Sequence, residues 1–326
     1  MLSTTVRRPA TGSITMTRTT PGTPRTPVSH PLSVRRRTWL ATALFFVMPM
    51  ATHLVGQAQE TPAGAALKAR YAALQTELAQ NQFQRPIHLV STQTSDELKG
   101  EIHAVVAQPF ASVGPALQAR ENWCDILILH LNVKHCQTGK SGGLSVNIGK
   151  KFDQPLGDTY RVDFSYRVAV QNDHHFQIQL NAPEGPLGTR DYRIMLEAIP
   201  LEGDRTFIHL SYSYGYGMAA RMAMQAYLST LGSGKVGFSV IGHDPNGKPV
   251  HVGNVRGVVE RNTMRYFLAI EAYLNARSAP PAQQLNKRLR EWFAATERYP
   301  RQLHEIDEGP YMEMKNKEVR RQQPGG

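Results

Sequence analysis

Tyr160-Arg161-Val162-Asp163-Phe164-Ser165-Tyr166-Arg167-Val168-Ala169-Val170 alternates large apolar residues with polar or small ones along its whole length. A period of two is the signature of a strand with one buried and one wet face. The pattern recurs downstream. Phe176, Ile178 and Leu180 alternate with Gln177, Gln179 and Asn181. Tyr192, Ile194 and Leu196 alternate with Asp191, Arg193 and Glu197, with Met195 interrupting the polar side. Ile208, Leu210, Tyr212, Tyr214 and Tyr216 alternate with His209, Ser211 and Ser213, and Phe207 departs from the rule. Leu144, Val146 and Ile148 form a shorter run. Turns fall between the runs at Asn172-Asp173, at Pro183-Glu184-Gly185-Pro186 and at Glu202-Gly203-Asp204. Successive half-buried strands joined by short turns predict an antiparallel sheet with one wet and one dry face.

The dry face has to be covered. Two segments qualify. Met218 to Leu231 carries only Arg221 as a charge and reads as a deeply buried helix, while Arg256 to Ala276 gathers Val259, Tyr266, Phe267, Ile270, Tyr273 and Leu274 on one side. Between them, Val236 to Ile241 and Val250 to Val255 flank Asp244-Pro245-Asn246-Gly247, a hairpin signature. After Pro280-Pro281, Leu285, Leu289, Trp292 and Phe293 mark one more amphipathic helix, and the polar, basic end of the chain is expected to fray. Upstream, Ile102 to Ala107 reads as a strand, and Pro109-Phe110 opens a helix to Ala119. Residues 121–131 fit helix or strand, and a short helix leading into a strand near Val133 is the expectation. Thr61 and Pro62 have the form of an N-cap and first helical position, with Leu67, Tyr71, Leu74 and Leu78 continuing the helix to about Gln80. Residues 84–100 read as a polar connection.

The net charge of +11 invites a nucleic-acid reading, but residues 1–58 hold seven arginines and no lysine or carboxylate. The remainder carries 30 basic and 26 acidic residues, too even a balance for a polyanion binder. The basic segment has a different meaning. Arg35, Arg36 and Arg37 precede an uncharged run from Trp39 to Val55, which ends in Gly56-Gln57-Ala58. That is the layout of an export signal with a small-residue cleavage site, which predicts a periplasmic protein. The alternative is an uncleaved inner-membrane anchor facing the periplasm.

The two cysteines, Cys124 and Cys136, either close a disulfide loop or stand as separate buried thiols; export to an oxidising compartment favours the bond. It requires a chain reversal, because a dozen extended residues at roughly 3.3 Å each would hold the sulfurs far apart. His174 and His175 adjoin a turn and point to opposite sides, His130 and His135 lack zinc-site spacing, and His209 reads as solvated, so no metal site is expected. No nucleophile elbow or Cys/His pair proposes a catalytic residue, no cofactor motif is present, and Gly139-Lys140-Ser141-Gly142-Gly143 lacks the spacing of a phosphate loop. Arg256, Glu260, Arg261, Arg265 and Glu271 surround one helix and read as solvated ion pairs rather than an anion site.

The order of strand, helix opened by Gln108-Pro109-Phe110, Asn122-Trp123-Cys124 before a meander, and Phe207 to Gly217 passing into a helix resembles the START-like, polyketide-cyclase-like superfamily, the helix-grip fold. The resemblance implies an α+β chain: a curved antiparallel sheet wrapped around a long helix, with extra N-terminal and C-terminal helices. The organisation expected is a leader and signal peptide over 1–58, a helix and linker over 59–100, a helix-grip domain over 101–277 and a helical extension over 278–326. It also implies a cavity for a hydrophobic small molecule or lipid between sheet and helix. Tyr166, Tyr192, Tyr212, Tyr214 and Tyr216, with Phe164 and Ile194, share the dry face and are the candidate ligand-binding residues; the same rings could equally fill an ordinary core. An envelope assembly role, docking a protein partner or the membrane surface through exposed Trp292 and Phe293, is the competing expectation, ahead of an enzyme acting on an apolar substrate.

Overall fold

The computed structural model describes residues 61–139, 142–229 and 234–323. The export signal expected over residues 1–58 therefore lies outside the described residues. Eight strands form one antiparallel sheet: β1 (Ile87–Gln93), β2 (Glu97–Val106), β3 (Val133–Thr138), β4 (Leu144–Ile148), β5 (Tyr160–Gln171), β6 (Phe176–Glu184), β7 (Thr189–Leu201) and β8 (Arg205–Tyr216). Their spatial order is β1-β2-β8-β7-β6-β5-β4-β3. The meander runs in sequence from β3 to β8, and β2 joins it beside β8. The alternation at Tyr160 and beyond is what fixes the register: Leu180 faces Ile194, and Ile194 faces Tyr212.

Residues 84–100 are a correction, because they hold β1 and the start of β2 rather than a connection. Only Ile87 and Leu89 are inward apolar residues in β1, too short a run to announce a strand, and pairing with β2 supplies the rest.

The long helix α6 is Asn254–Ala276 and lies across β1, β2 and β8. It approaches the sheet closely at Gly100 of β2, where an added Cβ would collide with the hydroxyl of Thr263. The earlier helix α5 (Met218–Ser229) was expected to be deeply buried and is not: Met218 is 75% exposed and Met222 64%, while among its described side chains only Ala220 is fully buried and Met224 packs partly against the core. Apolar composition without a dry partner surface does not bury a helix. The short hairpin β9 (Val240–His243) and β10 (Pro249–His251) joins α5 to α6.

The outer face of the sheet is covered at one end by α1 (Pro62–Ala73) and a short α2 (Gln75–Ala79). The Thr61 hydroxyl caps α1 by accepting the Gly64 N–H at 3.1 Å. Leu67, Leu74 and Leu78 pack on Phe207 and Ile199, and the rings of Tyr71 and Phe207 lie 4.9 Å apart. Phe207 breaks the strand alternation because its wet side is dry here.

Between β2 and β3 come α3 (Phe110–Gln118) and α4 (Asn122–Leu127), and a reversal over residues 128–132 brings Cys124 and Cys136 together as a disulfide with Cα atoms 5.1 Å apart. The C-terminal part carries three helices: α7 (Pro281–Glu297), α8 (Pro300–Leu303) and α9 (Glu308–Arg321). Two expectations fail here. Trp292 is 1% exposed, donates its indole N–H to the Arg265 carbonyl at 3.1 Å and stacks on Tyr311 at 5.1 Å, so it packs rather than docks. The basic end does not fray before Arg321, because Tyr311, Met314 and Val319 bury against the core and their spacing is helical.

Candidate functional site

Beside the contact of Gly100 with Thr263, under Val258, Asn262 and Tyr266 of α6, a cavity of about 200 Å³ remains. Its sheet wall is Phe164 of β5, Leu180 of β6, Tyr192 and Ile194 of β7, and Tyr212 and Tyr214 of β8; Val258, Asn262 and Tyr266 of α6 close it from above. His130 and Asn132, from the reversal before β3, and Leu187, Ala220 and Met224 also line it. Leu187 is 53% exposed, so the cavity reaches the surface there. Among the described residues no charged side chain lines it.

The tyrosines are packed as a set. Tyr192 and Tyr214 stack with centroids 5.2 Å apart, and Tyr212 lies 5.4 Å from Tyr266 across the sheet–helix gap. The Tyr192 hydroxyl is hydrogen-bonded to the Thr189 hydroxyl at 2.8 Å. Burial raises the Tyr192 phenol to about 12 and also raises those of Tyr212, Tyr214 and Tyr266, so all four stay protonated at neutral pH.

His130 is 2% exposed and stacks on Tyr266 at 4.7 Å. Its Nδ1 accepts the backbone N–H of Asn132 at 3.1 Å, while its Nε2 is buried with no hydrogen-bond partner. Burial, and then the Arg265 guanidinium, hold its pKa well below the ordinary histidine value, so the ring is neutral.

Five of the seven residues singled out from the sequence therefore line one cavity: Phe164, Tyr192, Ile194, Tyr212 and Tyr214. Tyr166 does not. Its hydroxyl donates to the Gln118 carbonyl at 2.8 Å, closing the end of α3, and it borders an open surface depression with Gly142, Asn181 and Arg193. Tyr216 does not either: its hydroxyl donates to the Thr94 carbonyl at 2.8 Å in the β1–β2 turn. Both belong to the alternating face, but Tyr166 is turned to the end of α3 and Tyr216 to the β1–β2 turn and the first residues of α6. His130 was missed because residues 121–131 gave no period from which its direction could be read. Tyr266 was visible only as one apolar position among several on α6.

Buried polar clusters also lie outside the cavity. On the outer face, His209 sits between two carboxylates, with Nδ1 2.9 Å from Glu197 and Nε2 3.1 Å from Glu101. The other Glu197 oxygen meets His175 at 3.2 Å, and His175 reaches the Thr61 hydroxyl at 3.0 Å. His103 stacks flat on His209 at 4.2 Å. His209 was expected to be solvated; its side chain is 12% exposed, held between the two glutamates at a recess that α1 also lines. Burial opposes charging His209, but hydrogen bonds to the two glutamates raise its pKa. The His209 hydrogen bond holds Glu101 down to about 2; burial would raise Glu197, but hydrogen bonds from His175 and His209 bring it to about 2 as well. Burial, then the His209 charge, lowers His103 to about 3. In the C-terminal part, Lys134 and Lys315 share Glu318 at 3.0 and 2.7 Å, all three fully buried. Among the described residues no group of three or more metal-ligating side chains could hold an ion.

The charged residues of α6 are also a correction. Glu260 is fully buried and accepts from the backbone N–H groups of Phe238 and Ser239 at 2.6 and 2.9 Å and from the Ser239 hydroxyl at 2.6 Å. Arg265 donates to the Leu303 carbonyl and to Glu305. These groups are not solvated. They pin the segments before and after α6 onto it, and none of them lines the cavity.

An antiparallel sheet curled against one long helix, with a space left between them, is the helix-grip arrangement. No protein-family model matches the chain, and no curated protein matches it significantly. Among solved structures it is similar to a START superfamily protein from Mycobacterium smegmatis, at 14% identity over 44% of this chain and 90% of that one, with a TM-score of 0.28. It is similar to truncated norcoclaurine synthase from Thalictrum flavum at 16% identity, over 43% and 91% of the two chains, with a TM-score of 0.30. It is similar to Ara h 8.0201 at 12% identity, over 58% and 99%, with a TM-score of 0.32. These neighbours are START-like and Bet v 1-like helix-grip proteins. The fold stands on its own strand order and gripped helix.

Proposed function

We propose that this protein binds a neutral, mostly apolar small molecule in the space between the sheet and α6. The observation that carries the reading is the 200 Å³ of room, walled by aromatic and aliphatic side chains and open at Leu187. Transfer of an apolar molecule into such a space is favourable by about 25 cal/mol per Å² removed from water. A charged molecule would lose its hydration with no opposite charge to meet it. The size narrows the ligand. The space is a little above the ~150 Å³ cavity that takes up benzene and below the roughly 300–1,000 Å³ of drug-sized sites. A whole lipid exceeds it; one or two rings, or a short chain segment, do not.

Mass spectrometry under native conditions, on protein purified from its source, tests the reading. The expected result is a co-purifying mass that leaves on denaturation, or uptake of one equivalent from a panel of small apolar compounds. A bare spectrum that stays bare after exposure to the panel overturns it.

We also infer that the chain acts in the periplasm. The disulfide of α4 and β3 and the arginine-led apolar segment near the N-terminus support this. Among the described residues no helix is long and apolar enough to cross a membrane. Cell fractionation with thiol alkylation checks it: recovery in the cytosolic fraction with both thiols free contradicts it.

A further inference from the structure

One row of α6 faces the cavity: Val258, Asn262 and Tyr266, each four residues on and therefore on one side of the helix. The middle position is an amide among apolar and aromatic neighbours. Asn262 is only partly buried, and among the described residues its side chain is hydrogen-bonded to nothing. Its nitrogen and oxygen both keep surface that a water molecule can touch, so neither is sealed in the core. The hydroxyls of Tyr266 and of Tyr212, across the sheet–helix gap, are in the same condition. Tyr212 is 6% exposed and its ring borders the cavity, so its hydroxyl opens onto that space. The Tyr192 hydroxyl differs, being held by Thr189.

Leucine has the same heavy-atom skeleton as asparagine, and it would suit this wall better if packing were the only demand. In water such an amide is hydrated, and a guest that displaces the water must replace its hydrogen bonds or lose affinity. We propose that the ligand is amphipathic: an apolar body of one or two rings, or a chain of similar bulk, ending in a neutral carboxamide or lactam that pairs with the Asn262 amide. This deepens the reading of the cavity as a ligand site and rests on it. A carboxamide presents a donor and an acceptor side by side, the complement of the Asn262 side chain, which carries both. The Tyr212 and Tyr266 hydroxyls can each donate or accept, so they are free to serve the same polar group. A few polar atoms in a mostly apolar wall are what orient a guest and set its identity.

Benzamide and α-methylstyrene share one heavy-atom skeleton and differ in a carboxamide against an isopropenyl group. Calorimetric titration of both into the intact protein and into Asn262→Leu gives four dissociation constants. The expected result is that the affinity ratio of benzamide to α-methylstyrene falls about tenfold in the variant, one hydrogen bond's worth. The variant's thermal midpoint should stay level or rise, because no hydrogen bond within the protein is lost. An unchanged ratio overturns the proposal while leaving the apolar site in place. A midpoint several degrees lower shows the amide holding the structure and also counts against it. Saturable binding of neither probe to the unaltered protein removes the site itself. If Asn262→Leu does not fold, the side-chain amide signals of Asn262 in the unaltered protein decide: they shift with benzamide and not with α-methylstyrene, and equal response to both counts against the assignment.

Discussion

The hydroxyl of Thr263 on α6 sits over the bare Cα of Gly100 on β2, leaving no room for a side chain between helix and sheet. That contact sets how closely the helix grips the sheet, and the cavity opens to one side of it. Gly100→Ala is expected to lower stability by about 1–3 kcal/mol through overpacking, and Thr263→Ala in the same chain to restore part of it. Thermal unfolding of the four proteins in this cycle checks the pairing; additive losses would mean that the two residues do not meet.

The Cys124–Cys136 bond closes a loop with a sequence separation of 12 residues and ties α4 to β3, on either side of the reversal that holds His130. Loop-closure arguments give it about 3 kcal/mol. Reduction, or a double substitution to alanine, should lower the thermal midpoint by several degrees. A midpoint indifferent to reductant contradicts the bond's role.

His103 and His130 are both held neutral, with pKa values lowered by burial. In the unfolded chain each takes up a proton below about pH 6.5, so the unfolded state binds more protons and stability falls with acidification. Each ring should contribute a loss on the order of 2 kcal/mol between pH 7 and 5. His209 has the opposite sign. Its pKa is raised, so its contribution is complete below about pH 6.5 and is lost as pH climbs through the higher folded value. Urea unfolding at several pH values, with His103→Gln beside the unaltered protein, should show a shallower acid slope in the variant; an identical slope contradicts the assignment.

The sheet was legible in the sequence because its strands are half-buried, and a period of two survives wherever one face meets water. The exceptions were informative. Phe207 broke the alternation because α1 dries that patch, and β1 went unseen because two apolar residues do not make a pattern. The cavity wall was legible to the extent that it is made of strand. Phe164, Tyr192, Ile194, Tyr212 and Tyr214 were placed by alternation alone, but alternation does not say what each ring meets, so Tyr166 and Tyr216 were grouped with them. His130 lies in a reversal and Tyr266 on a helix whose facing partner is unknown until the chain folds. Charge was the least legible property: Glu260, Arg265, Lys134 and Lys315 are buried because their partners come from distant segments.

The C-terminal helices illustrate that last point. Lys134 and Lys315 are fully buried around a single carboxylate, and burial brings Lys315 down to about 7. Removing the carboxylate with Glu318→Gln leaves the two buried amines without the counter-charge they share, at an expected cost of about 3–5 kcal/mol. Deletion of everything after residue 280 should collapse the core rather than free a docking surface, since Trp292 and Tyr311 belong to it. A truncated protein that keeps a cooperative transition at the original temperature contradicts this.

The central claim is that usable room remains under α6, and filling it is the most direct trial. Val258 stands on the cavity side of α6, and Val258→Phe adds a ring there without adding charge. Titration of a small apolar probe, followed by calorimetry, should show one saturable site per chain in the unaltered protein and none in Val258→Phe, with the variant's thermal midpoint close to the original. Equal, saturable binding to both proteins would place the ligand elsewhere and contradict the account.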